Sequence, residues 1–86
     1  MNNITKYNNK LNILGNTIKE YRIKSNLSLS QLSNKLMLVG IDIPKSSLQR
    51  IEVGQRVIKD YELIGFLKVF NITPNTLLTE FINELN

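Results

Sequence analysis

The stretch SLSQLSNKLMLVGIDIPKSSLQRIEVGQR, residues 28–56, holds two start signals, one break and one short polar-faced segment. Ser28 is followed three residues later by Gln31. A serine hydroxyl can accept from the amide of Gln31 while the Gln31 side chain reaches back, which is a capping box and marks a helix start. Leu29, Leu32 and Leu36 then recur at helical spacing and form an inner face. Val39-Gly40-Ile41-Asp42-Ile43 interrupts the period. Gly40 supplies the positive φ that ends a helix cheaply, and Pro44 presets φ for a new start. A second helix is predicted from Lys45 to Val53. Leu48 and Ile51 point inward, so Lys45, Ser46, Gln49 and Arg50 are left on the outer face. Gly54 ends it, and a loop over residues 55–59 carries Arg56 and Lys59.

Outward from this stretch the pattern stays helical. Leu14, Ile18 and Tyr21 recur at i, i+4 and i+7, predicting a first helix from Leu11 or Asn12 to Lys24, with Asn26 as its stop. Gly15 inside it costs up to about 1 kcal/mol against alanine, so a close packing point is expected there. After the loop, Asp60 reads as the N-cap of a helix running to Phe70, with Ile64, Leu67 and Phe70 facing in and Tyr61 at the edge. Thr73 caps a last helix with Pro74 at its first position. Leu77, Leu78, Phe81, Ile82 and Leu85 give that helix a broad apolar stripe. Such a stripe serves either the core or an interface between two copies, through Leu78, Phe81, Ile82 and Leu85. The expected core unites Leu14, Ile18, Leu32, Leu36, Leu48, Ile51, Ile64 and Leu67. The domain reading is a polar, asparagine-rich arm over residues 1–11 and one domain over residues 12–86, with its C-terminal helix at 74–85.

At 86 residues one small domain is expected, burying roughly 60–65% of its unfolded surface. There is no cysteine and no histidine. Disulfides, zinc-thiolate sites and thiol nucleophiles are excluded, and so are the commonest general base and metal ligand. The seven acids show no ligand-like spacing, and the serines have no base to activate them. Neither catalysis, a metal nor a cofactor is expected. The first residues, MNNITKYNNKLN, hold no apolar run, so no signal peptide is read there. No apolar stretch approaches about 18 residues, so no membrane span is expected. Cytoplasmic residence fits the cysteine count. Charge is unevenly spread. Residues 1–59 carry ten Lys or Arg against Glu20, Asp42 and Glu52, whereas residues 60–86 carry Lys68 against Asp60, Glu62, Glu80 and Glu84. A basic surface favours a polyanion, most simply nucleic acid.

A capped helix, a glycine turn and a short helix with hydrogen-bonding outer residues are what a major-groove reader requires. At this point the sequence resembles the Cro and phage-repressor family, also called the xenobiotic-response-element family. The resemblance spans Leu14 to Leu78. It rests on LGNTIKEYR, LSLSQLSNKL, SLQRIEVGQR and YELIGFLKVFNITPNTLL; the I-E-x-G element after a capped L-S-x-x-x-L helix is the specific combination. It implies an all-α, compact five-helix lambda-repressor-like helix-turn-helix domain, prokaryotic or phage-encoded. The implied partner is double-stranded DNA with a near-palindromic operator, bound by a homodimer. Carried over residue by residue, Lys45, Ser46, Gln49 and Arg50 fall at base-reading positions, and Ser28, Ser47, Gln55 and Arg56 near the phosphate backbone. Arg22 and Glu52 fall where the family has a structural ion pair. Two departures stand out. The connector from Met37 to Ile43 is several residues longer than usual, and Leu29 and Val53 replace polar residues. Two functions therefore follow: a sequence-specific regulator, most simply a repressor, or a protein-interaction module of the same fold, such as a toxin partner, with little DNA binding.

Overall fold

The computed structural model describes residues 6–85, apart from the side chains of residues 81, 84 and 85. Its five helices are α1 (Gly15–Lys24), α2 (Leu29–Leu38), α3 (Lys45–Glu52), α4 (Asp60–Phe70) and α5 (Pro74–Leu85). The described residues hold no strand; the only β element is an isolated bridge between Tyr7 and Lys10. The fold is an all-α five-helix globule.

One core joins the helices. Ile18 of α1, Leu32 and Leu36 of α2, Leu48 and Ile51 of α3 and Phe66 of α4 are buried together. Leu14 packs against this cluster while partly exposed. Fully burying one such side chain is worth about 1.5–3 kcal/mol, so these contacts dominate the stability of so short a chain. α5 lies against α1 and buries Leu77. Tyr21 of α1 stacks on Phe70, ring centroids 5.6 Å apart. Burial of its hydroxyl, reinforced by the Glu80 carboxylate, pushes the Tyr21 phenol up to about 12.

Four details depart from the sequence reading. The first helix begins at Gly15, not at Leu11 or Asn12, because those residues are committed elsewhere. The Leu11 amide donates to Gly54 O, and the Asn12 side chain caps Gly15 N at 2.7 Å. The third helix ends at Glu52, with Val53 as its C-cap. Lys59, not Asp60, holds the N-cap position of α4; its amide donates to Glu62 Oε1 at 2.9 Å.

The fourth departure is in the core. Ile64 is 50% exposed, and Phe66 takes the inward place. The buried residues of α4 are Glu62, Gly65, Phe66 and Leu67. A Cβ on Gly65 would come within 2.6 Å of Ile41 Cγ1, so only glycine lets α4 approach the connector this closely. A carboxylate and a glycine on the inner face disguise the apolar period there.

The long connector between α2 and α3 is packed. Gly40 adopts φ +83°, and Ile41 N donates to Leu36 O. Ser33 Oγ donates to Ile43 O at 2.7 Å. Ile43 itself is fully buried, although a connector would ordinarily be read as surface. Pro44 therefore enters α3 from a fixed point.

Candidate nucleic-acid interface

α3 has two faces of opposite character. Leu48, Ile51 and Glu52 are buried, while Lys45, Ser46, Gln49 and Arg50 are all exposed and Ser47 is half-buried. Positions 45, 46, 49 and 50 fall on one side of a 3.6-residue turn. The structure thus brings the four outer-face residues onto a single solvent-facing strip. No ion pair among the described residues takes up Lys45 or Arg50. Arg50 makes one long hydrogen bond, 3.4 Å to Gln55 O, which leaves most of its guanidinium free.

Three attachments hold the strip. Asn12 Nδ2 donates to Ile51 O at 2.9 Å and to Arg56 O at 2.8 Å. That one amide side chain ties the start of α1 to the end of α3 and to the loop beyond. A Cβ at Gly15 would lie 2.1 Å from Ile51 O, so the two helices touch through backbone and the position admits only glycine. The second attachment is Arg22–Glu52. Arg22 Nε donates to Glu52 Oε2 at 2.6 Å and Nη2 to Glu52 Oε1 at 3.0 Å. Nη1 donates to Leu27 O at 2.9 Å, so the same arginine also closes the α1–α2 turn. The hydrogen bond to Glu52 raises the Arg22 pKa against the opposing effect of burial. The third is the pinned connector at Ile43. A helix held this firmly need not spend binding free energy on ordering itself when it meets a partner.

The remaining sequence-derived positions are arranged differently. Ser28 and Gln31 form the capping box, with Ser28 Oγ accepting from Gln31 N at 3.0 Å and Gln31 Oε1 accepting from Ser28 N at 2.8 Å. The Ser28 hydroxyl proton remains available to an outside acceptor. The Gln55 side chain is exposed, while the Gln55 backbone N–H donates to Arg50 O at 2.8 Å. Arg56 does not point freely outward. It grips Glu62 through Nη1–Oε1 at 2.9 Å and Nη2–Oε2 at 3.0 Å. A further bond runs from Nη1 to Val57 O. Burial pushes the Glu62 carboxyl up, but the hydrogen bonds and charges of Arg56 and Lys59 outweigh it and hold the carboxyl below its ordinary value.

Asn12 and Glu62 both escaped the sequence reading. Asn12 ends a polar stretch and reads from sequence only as a possible helix start; its clamp on Ile51 O and Arg56 O reveals its part. Glu62 carried one usable signal: it stands three residues after Lys59, the spacing of a carboxylate that accepts from an N-cap amide. Among the described residues no group of acids is placed to hold a metal ion. No helix among them is long and apolar enough to cross a membrane.

A helix-turn-helix family model matches residues 18–77. That span takes in α2, the connector, α3 and the helices that brace them. The chain belongs to the helix-turn-helix family of the Cro and phage-repressor type, a family of DNA-binding regulatory domains. No curated protein and no solved structure was found to match the chain.

Proposed function

We propose that this protein is a sequence-specific repressor that reads the major groove of double-stranded DNA with α3 (Lys45–Glu52). One observation carries the reading: the Lys45, Ser46, Gln49 and Arg50 strip is solvent-facing and enters no ion pair among the described residues, on a helix whose other face is locked in the core. Arg can bond guanine O6 and N7 together, and Gln can do the same to adenine N6 and N7. Lys45 and Ser46 occupy the first turn, where a recognition helix comes closest to the groove floor. Ser28, Ser47 and Gln55 are assigned to the phosphates that fix register. Bound over a promoter, such a domain excludes polymerase, which is the simplest route to repression.

Selection of duplexes from a random pool, followed by titration with the selected site, tests this. Arg50→Ala is expected to lose roughly 1–3 kcal/mol of affinity and to relax selectivity at one base pair. If Arg50→Ala binds every duplex as well as the parent, α3 is not the reader. The protein-interaction reading then takes over, and the half-exposed Val53 becomes its first candidate contact.

The operator is proposed to be a near-palindrome bound by two copies through α5. Leu78 and Ile82 are 48% and 54% exposed on that helix while Leu77 is buried, so an apolar face remains after the core is made. Phe81 and Leu85, assigned to the same interface, have side chains outside the described residues. Pairing would present two α3 helices to successive major-groove turns, about 34 Å apart. Sedimentation should show a dimer that Ile82→Glu converts to monomer, and the selected site should be an inverted repeat. A monomer at high concentration on an unrepeated site would refute the arrangement.

A further inference from the structure

The segment before α1 is shaped and attached. Tyr7 and Lys10 exchange both backbone hydrogen bonds, at 3.0 and 2.9 Å. The two residues between them, Asn8 and Asn9, have φ of +50° and +63°. Two left-handed residues inside such a pair make the mirror-image two-residue turn, and asparagine is among the residues that tolerate it best. The turn is then fastened to the end of α3. Leu11 N donates to Gly54 O at 2.8 Å, and the methylenes of Lys10 lie on Gly54, whose absent Cβ would come within 3.0 Å of Lys10 Cβ. Asn12 completes the attachment by bonding Ile51 O and Arg56 O.

This attachment decides where the charge sits. Lys6 and Lys10 are exposed, neither enters an ion pair among the described residues, and no acid precedes Glu20 in the sequence. Lys10 lays its stem on the protein and keeps its ammonium in water, as long cationic side chains do. α3 has eight residues, so it is roughly 12 Å long, longer than the roughly 8.5 Å depth of the major groove. With its first turn at the groove floor, its far end comes level with the bordering phosphates. The turn extends the protein at that far end.

We infer that the Tyr7–Lys10 turn is a second DNA contact, with Lys6 and Lys10 neutralising backbone phosphates beside the half-site and adding affinity without base selectivity. The inference rests on the DNA-binding reading above and extends it to a segment outside the residues 18–77 that the family model matches. Lysines serve as mobile point charges for phosphate, and the Asn8 and Asn9 amides, both exposed, can donate to the same oxygens.

The test is a salt titration of the full chain on a duplex selected from a random pool and on mixed-sequence duplex. Lys6→Gln/Lys10→Gln should lower the slope of log K against log salt by about two units on both duplexes. The preferred sequence should stay the same. Lys6→Arg/Lys10→Arg should keep the parental slope. Phosphate ethylation interference should show flanking phosphates that matter to the parent and not to the glutamine variant. Thermal melting separates a merely structural lysine: a melting temperature that falls while the slope stays parental would overturn the inference and make Lys10 a charge that only complements the C-terminal end of α3. A parental slope in a glutamine variant of unchanged melting temperature would overturn it as well. A parent that binds neither duplex in a salt-dependent way would remove the DNA-binding reading itself, a result distinguishable from both.

Discussion

Replacing Arg22 by alanine should lower the unfolding free energy by about 3–5 kcal/mol, the range for breaking a buried ion pair from one side, while the DNA sequence preferred by the folded fraction stays the same. The Glu52 side chain is only 5% exposed and that of Arg22 14%, so this is not a surface pair worth less than about 1 kcal/mol. Without Arg22, the buried Glu52 side chain would lose its ion-pair partner, and Leu27 O would lose its donor at the α1–α2 turn. A domain of this size has a total stability of about 4–13 kcal/mol, at roughly 0.05–0.15 kcal/mol per residue, so the variant sits near the point of unfolding. Arg22→Ala/Glu52→Gln should recover part of the loss by removing the stranded charge, since the cost lies in the unpaired partner and not in the absent contact alone. Urea unfolding with an unchanged m value would measure both steps. A loss below about 1 kcal/mol would mean that water screens the pair as it screens surface pairs.

The Arg22–Glu52 pair also shows which parts of the fold can be read from sequence. Helix starts and stops were legible where local chemistry sets them: the Ser28–Gln31 box, the Asn26 stop and the Pro44 entry all act within a few residues of themselves. The outer strip of α3 was legible because Leu48 and Ile51 fix the helix phase, and phase alone decides which side chains face water. The pairing of Arg22 with Glu52, thirty positions apart, came only through resemblance. What stayed hidden depends on partners distant in the chain and on polar residues in apolar places. Ile43 is buried because Ser33 captures its carbonyl, which no periodicity encodes. Ile64 was read as core because the true inward positions of α4 include Glu62 and Gly65, one charged and one without a side chain. Asn12 reads from sequence only as a possible first residue of the first helix, yet its amide satisfies backbone groups of Ile51 and Arg56, residues thirty-nine and forty-four positions away.

Arg56 is where those hidden partners alter a functional expectation, and its replacement by alanine should be nearly as costly as that of Arg22. As a bare loop arginine it would serve only as a phosphate contact, and its removal would leave the fold untouched. With the Glu62 side chain only 3% exposed, Arg56→Ala strands a buried carboxylate that keeps just the Lys59 amide, at a cost of about 3–5 kcal/mol. Acid should reveal the same pair. The Glu62 carboxyl is held below its ordinary value in the folded protein, so the unfolded chain takes up this proton first as pH falls. The stabilisation is complete above the ordinary carboxylate range, near the reference value of 4.5, and is lost progressively as pH drops through the lower folded value. Unfolding free energy followed from pH 6 to about pH 2 should therefore fall less steeply in Glu62→Gln than in the parent. An equal slope in the two would show that Glu62 titrates alike in folded and unfolded chains. The proposed phosphate contact is separable from this structural part. The bonds to Glu62 and Val57 O take three of the five N–H donors of Arg56, and Nε and one Nη2 proton can still meet a phosphate. At a temperature where Arg56→Ala stays folded, its salt slope should fall by about one unit with the preferred sequence unchanged. A parental slope there would restrict Arg56 to bracing α4 against the loop that follows the reader.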